Sequence, residues 1–140
     1  MEHLLFIIAV LASASLSTSF SVGTGIYDMT GPATEINFMG YAVPSQRGTG
    51  IHLRLRARAF VFLDEETGKR AAFVSIDGGM ASDLVTLKTI DAIKAKLDGQ
   101  KIYTTSNLAI SGTHTHSGPA GFLQYVLYQV VPCFCYGWSY

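Results

Sequence analysis

Residues 70–112 read RAAFVSIDGGMASDLVTLKTIDAIKAKLDGQKIYTTSNLAISG, and the fold class is predicted from this segment. Short apolar runs at Arg70 to Asp77 and Asn107 to Gly112 predict two strands. Between them, Ser82 is a plausible N-cap and Gly99 a C-terminal stop for a helix. Its apolar residues recur near the helical period at Leu84, Leu87, Ile90, Ile93 and Leu97. Such a unit predicts parallel strands joined by a right-handed crossover.

A hairpin precedes this unit. Leu53 to Leu63 alternates with period two, and every odd-numbered position is apolar, so it predicts a strand. Asp64 to Lys69 is a polar turn, and Arg70 begins the returning strand. The predicted fold class is therefore α/β, a hairpin plus a right-handed βαβ unit.

Two histidines follow the second parallel strand, in the run Thr113-His114-Thr115-His116. In an extended backbone, His114 and His116 point to the same face. The Gly118-Pro119 step is then expected to end the strand and to expose the pair at its tip. Because ligands bind outside the carboxyl ends of parallel strands, Asp77 and the histidine pair are expected at one rim.

Two imidazoles on one face can hold a transition metal. A catalytic zinc takes about three protein ligands and keeps one position open for water. His114 and His116 could supply two ligands, or one ligand and a base, with Asp77 as a third partner or as an orienting group. Ser117 could donate a hydrogen bond. A His-x-His pair is also commonly unligated, so spacing alone leaves the metal role open.

Composition narrows the function classes. The 140 residues have room for one domain, 49% are apolar, and ten basic residues balance ten acidic ones. This balance argues against a nucleic-acid binder. Arg54, Arg56 and Arg58 occupy alternate positions, as expected for a solvated strand face or a surface for an acidic partner. His52 is predicted to be structural, and Phe122 to Val131 predicts a buried helix.

The two ends of the chain differ from its body. Residues 1–19 have the layout of a secretory signal peptide, with an apolar run at Leu4 to Leu11 and small residues after it, but without a basic residue at the start. An uncleaved anchor or a buried strand are the alternatives. Cys133 and Cys135 lie in a divergent tail, residues 132–140, and are interpreted as incidental. The expected location is the secretory pathway: secreted, extracellular, or in the endoplasmic reticulum or Golgi.

The segment from Ser111 to Phe122 resembles the zinc-site signature of the neutral ceramidase family. Further segments resemble the amino-terminal region of that family in the same order: Ile26–Pro32, Glu35–Tyr41, Arg58–Phe60 and Val74–Asp77. The resemblance covers about residues 20–130. It implies that residues 20–131 are the amino-terminal part of a ceramidase catalytic domain.

The resemblance implies a zinc-dependent amidohydrolase. Neutral ceramidases hydrolyse the N-acyl amide bond of ceramide, a sphingolipid of the membrane surface, to sphingosine and a fatty acid. By resemblance, His114 would be the metal ligand, and His116 would be the catalytic residue beside it. A zinc-activated water would attack the amide carbonyl. Asp77 would then be structural or would position a residue of the site without contacting the metal.

The sequence departs from the family after this region. The family's other zinc ligands are a His, a Glu and a Tyr from later in much longer chains. Here no histidine follows His116 and no glutamate follows Glu66. We therefore expect a truncated, inactive form. Poor solubility is also expected, because the strand and the helix would expose apolar faces without the missing part of the domain. The alternatives are a non-catalytic secreted or membrane-associated fragment that binds a partner, such as the full-length enzyme, and a segment without a stable fold of its own.

Overall fold

The computed structural model describes residues 19–125, except 42 and 44. The predictions for the signal peptide, the two cysteines and the tail lie outside these residues. The elements in chain order are β1 (Phe20–Asp28), β2 (Thr34–Ile36), β3 (Gly48–Thr49), β4 (Arg56–Asp64), β5 (Arg70–Ile76), α1 (Asp83–Lys96) and β6 (Leu108–Gly112).

The main sheet has four strands in the order β1-β4-β5-β6. β1 pairs antiparallel with β4, and β4 with β5, whereas β5 and β6 are parallel. The predicted α/β class, a hairpin followed by a βαβ unit, is confirmed. The pairing of Ile76 with Gly112 brings the carboxyl ends of β5 and β6 to the same edge, as expected. A second sheet of β2 and β3 was not predicted, because strands of three and two residues carry no periodic pattern.

The long hairpin strand begins later than predicted. The alternating pattern starts at Leu53, but β4 begins at Arg56. The reason is that the Leu55 N–H donates to the Thr30 hydroxyl at 2.9 Å instead of pairing with a neighbouring strand. Leu53 therefore stays outside the sheet and is 73% exposed.

The helix follows its predicted signals. Ser82 is the N-cap, and its hydroxyl accepts from the Val85 N–H at 3.4 Å. Gly99 has a positive φ of 85° just after the helix, as a C-terminal glycine does. The periodic apolar residues, however, are not buried: Leu84 and Leu87 are 48% and 51% exposed. In the part of the chain that the structure describes, no helix is long and apolar enough to span a membrane.

Among the described residues, the buried apolar side chains are Met39, Leu108 and Leu123. Leu123 lies in the segment where a helix was predicted from Phe122. That prediction is wrong for the described residues up to Tyr125, which form no helix. The Ser82 hydroxyl donates to Gln124, so this segment crosses the start of α1 as a loop.

Candidate functional site

The site lies where β5 and β6 end side by side. Beyond the last strand pair, the Thr113 N–H donates to the Ile76 carbonyl at 2.9 Å, and the His114 N–H donates to the Gly78 carbonyl at 3.1 Å. Gly112 allows this close approach, since a Cβ there would lie 2.7 Å from the Gly78 oxygen. The turn after β5 and the histidine segment after β6 are therefore joined through their backbones.

The two histidine rings lie together, but not for the reason expected from the sequence. The strand ends at Gly112, not at the Gly118-Pro119 step, and His114 has a left-handed φ of 62°. A turn, rather than strand alternation, brings His114 and His116 together. Their ring centroids are 4.8 Å apart, with the planes at 81°. Both residues are exposed.

The His114 ring is oriented by a backbone carbonyl. Its Nδ1 lies 2.9 Å from the Gly79 oxygen. A carbonyl oxygen can only accept a hydrogen bond, so Nδ1 carries the proton in this contact. In the neutral ring, this tautomer leaves the lone pair on Nε2 available. Histidines that bind metals are held in the same way, by a carbonyl or carboxylate on the other ring nitrogen.

Gly79 is itself fixed by a buried side chain. A Cβ at Gly79 would overlap the Met39 Cγ and would lie 3.0 Å from the Met39 Cβ. Met39 is only 4% exposed, and its N–H donates to the Gly118 carbonyl at 3.1 Å. Met39 thus packs directly against the backbone unit that orients His114.

The second ring rests on a glycine. Gly40 has a φ of 68°, and a Cβ there would lie 2.7 Å from Cε1 and 2.8 Å from Nδ1 of His116. Gly40 therefore provides the space that the ring occupies. No role was predicted for Met39, Gly40 or Gly79. The sequence feature that could have indicated them is the presence of glycines just after β5 and within the segment Glu35–Tyr41.

Asp77 is committed to a structural contact. Its Oδ1 accepts from the Arg58 guanidinium at 2.7 Å, and its Oδ2 accepts from the Arg56 N–H at 2.9 Å. The hydrogen bond from Arg58 is the main cause that lowers the pKa of Asp77. The carboxylate therefore ties β5 to β4 in the ionised form. This geometry favours the structural reading of Asp77 over a role as a third ligand.

An open groove of about 1040 Å³ adjoins the histidine segment. Thr113, Thr115 and Ser117, which alternate with the histidines, line it together with His52. The arginines of β4 and the loop before it also line the groove. Arg56 and Arg54 lie 3.3 Å and 3.8 Å from a carboxylate oxygen of Asp28, so their charges are partly balanced.

The fit to a metal is partial. His114 has the tautomer and the orienting carbonyl of a zinc ligand, and His116 adds a second imidazole close by. Yet within residues 19–125, leaving out 42 and 44, no group of three or more His, Cys, Asp or Glu side chains could hold a metal ion. Among the described residues, the two histidines therefore do not make up a complete metal site.

Comparisons with known proteins point to one family. The family described as neutral/alkaline non-lysosomal ceramidase, N-terminal, matches residues 20–136. Neutral ceramidase 3 of Arabidopsis thaliana is 50% identical over 127 residues, which are 91% of this chain and 17% of that protein. Neutral ceramidase A of Dictyostelium discoideum is 52% identical over 113 residues, which are 81% of this chain and 16% of that protein.

Solved structures agree with the sequence matches. The crystal structure of neutral ceramidase from Pseudomonas aeruginosa has a TM-score of 0.73 and 41% identity, and the match covers 80% of this chain and 18% of that one. A ceramidase complexed with C2 has a TM-score of 0.74 and 40% identity. This chain spans about a sixth of the length of the curated relatives it matches. The chain belongs to the neutral/alkaline non-lysosomal ceramidase family and matches its amino-terminal region.

Proposed function

We propose that this chain supplies one corner of the active site of a zinc-dependent ceramidase, which hydrolyses the N-acyl amide bond of ceramide at a membrane surface. The observation that carries the proposal is the 2.9 Å contact between His114 Nδ1 and the Gly79 carbonyl, because it leaves Nε2 free to bind a metal. Family membership supports the choice of substrate and of zinc.

Each histidine has a distinct role in this proposal. His114 holds the metal through Nε2. Zinc, when bound, supplies a hydroxide nucleophile near neutral pH and polarises the amide carbonyl. His116, whose ring centroid lies 4.8 Å from that of His114, contacts the reacting groups and moves a proton at one of its ring nitrogens. Gly40 leaves room for that ring.

The described residues alone fall short of such a site. Two imidazoles are fewer than the three protein ligands that a catalytic zinc takes. We therefore propose that the 140-residue chain, tested by itself, neither holds zinc at one ion per chain nor hydrolyses ceramide. Activity then requires a polypeptide that adds the remaining ligands. Passage through the secretory pathway also remains a proposal, based on residues 1–19.

A chimera tests the histidine roles. The 113 aligned residues of Dictyostelium neutral ceramidase A are replaced by the matching residues of this chain, and zinc content and ceramide hydrolysis are measured. His114→Ala is expected to lose both zinc and activity. His116→Ala is expected to keep zinc but to lose turnover by about a hundredfold or more.

His52→Ala is the matched control, because it removes an imidazole outside the pair and is expected to keep both zinc and activity. If the His114→Ala chimera is folded and retains one zinc with unchanged affinity, His114 is not the ligand and the proposal fails. Ceramide turnover by the isolated 140-residue chain would contradict the second part of the proposal.

A further inference from the structure

One face of the main sheet is apolar and has no layer over it among the described residues. We name it the open face, made of Phe20, Val22, Ile26, Phe60, Phe62 and Phe73. The register shows that it is continuous, since Val22 pairs with Phe62 and Phe60 pairs with Phe73. Directly paired residues share one face of a sheet, so these side chains lie side by side.

The exposure of this face is high for residues of this type. Phe20 is 64% exposed, Val22 57% and Ile26 65%, while Phe62 and Phe73 are both 41% exposed. Contiguous apolar patches of this kind mark interaction surfaces.

The opposite face of the sheet is already partly covered. Val74, Ile76 and Ile110 line a cavity of about 520 Å³ together with Val85 of α1, and Leu108 on the same face is 4% exposed. A sheet that is apolar on both faces is stable when a layer packs on each of them. In the part of the chain that the structure describes, α1 supplies the layer on one side, so the open face calls for a second layer.

The comparisons indicate what that layer is. A ceramidase with the same local fold, at a TM-score of 0.74, matches 83% of this chain with only 18% of its own length. Most of that protein therefore lies outside the matched region and is available to pack against this sheet. Charged side chains on this face lie at its two ends, where Phe20 pairs with Asp64 and Ile26 pairs with Arg58, and the centre between them is uncharged. The core of an interface is likewise depleted in charged residues.

We propose that the open face docks onto the part of a neutral ceramidase chain that lies outside the matched region, so that this chain binds in trans to a ceramidase from which that region has been removed. The proposal rests on family membership and not on the zinc chemistry. An intact ceramidase already has its own copy of the region in place, so it is not expected to bind. The expected partner is therefore a ceramidase that lacks this region, and no longer the full-length enzyme.

Co-expression tests this proposal. The full 140-residue chain is expressed with Dictyostelium neutral ceramidase A lacking its 113 aligned residues, and separately with the intact enzyme. A complex with one copy of each polypeptide is expected in the first case and none in the second, measured by co-purification and sedimentation. Two rival occupants of the open face are tested separately. Light scattering of this chain alone detects a second copy, and flotation with phosphatidylcholine vesicles detects binding to a lipid surface.

Surface variants locate the contact. Val22→Thr replaces a methyl group by a hydroxyl, and Ile26→Thr replaces an ethyl group by a hydroxyl. Both changes keep β-branching, so the strand itself is expected to form as before. The complex is expected to weaken at least about tenfold, because two hydroxyls are buried in an apolar interface. Tyr27→Thr is the control, since Tyr27 is 80% exposed on the opposite face of the same strand.

The proposal is overturned by any of three results: no complex with the deleted enzyme, equal binding to the intact enzyme, or equal weakening by Tyr27→Thr. Self-association or vesicle binding that depends on Val22 and Ile26, without a heterocomplex, would also overturn it in favour of the rival occupant. The readout is complex formation in metal-free buffer, where zinc binding by His114 plays no part. Failure of docking and failure of the metal proposal are thus distinguishable.

Discussion

Gly79→Ala is the most informative single change at this site. It adds one methyl group at a position whose carbonyl oxygen orients the His114 ring. That methyl would overlap the Met39 Cγ and would lie 3.0 Å from the Met39 Cβ, where ordinary contact begins at 3.4 Å. Met39 is 4% exposed and has little room to retreat, so the backbone of Gly79 must shift.

Two effects follow from that shift. Overpacking of a buried site costs about 1–3 kcal/mol in the free energy of unfolding. The gain from a less flexible unfolded chain, about 0.4–1 kcal/mol, offsets only part of this cost. A shift of the carbonyl also lengthens its 2.9 Å contact with His114 Nδ1, and loss of such an orienting contact lowers metal affinity by about 10–100-fold.

The neighbouring glycine is a matched control. A Cβ at Gly78 would lie 3.5 Å from the Ile76 Cδ1, which is an ordinary contact. In the ceramidase chimera, Gly79→Ala should therefore lower both the urea midpoint and the zinc affinity, whereas Gly78→Ala should change neither by much. Met39→Ala removes the overlapped Cγ, so Gly79→Ala should cost less stability in the Met39→Ala background than in the parent, as a double-mutant cycle measures. Equal effects of the two glycine variants, or no coupling to Met39, would refute this reasoning.

Two more predictions concern the surroundings of the pair. Gly40→Ala should lower the kcat of the chimera while zinc content stays unchanged, because the new Cβ displaces the His116 ring. Gly68→Ala is the control, since Gly68 has a similar φ of 67° but nothing within 4 Å, and equal kcat values of the two variants would contradict the role of Gly40. Asp77→Asn should lower the free energy of unfolding by about 1–2 kcal/mol at pH 7. The hydrogen bond from Arg58 lowers the pKa of Asp77 in the folded state below its ordinary value of 3.8. The stabilisation is therefore present above pH 3.8 and is lost as the pH falls further. Urea titrations of the parent and the variant should converge below pH 3.8.

The fold was predictable where the pattern is long and local. The alternating run in β4 and the 14-residue helix each carry enough periods to be recognised, and the strand–helix–strand order then determines the parallel pairing of β5 with β6. Strand ends were less predictable, because a single hydrogen bond from Leu55 to Thr30 decides where β4 begins. No pattern around Leu55 reports on a partner 25 residues away.

The site was only half predictable for a similar reason. Spacing identified His114 and His116, and their rings do lie together. The orienting group is a backbone carbonyl of Gly79, and every residue carries a carbonyl, so side-chain types could not indicate it. The sequence also gives no indication of the left-handed φ of His114, since glycine and asparagine are the residues that usually adopt that conformation.

The position of His114, the proposed metal ligand, has a consequence for docking. The last backbone hydrogen bond to β5 itself joins Thr113 to Ile76, and His114 is the next residue. The position of its ring therefore depends on the register of β5 and β6. Phe73, on the open face, belongs to the same β5 strand. A layer that packs on Phe73 stabilises that register, and a bound zinc, through His114, favours the same arrangement. If both proposals hold, docking and zinc binding are linked, and each must strengthen the other by the same factor.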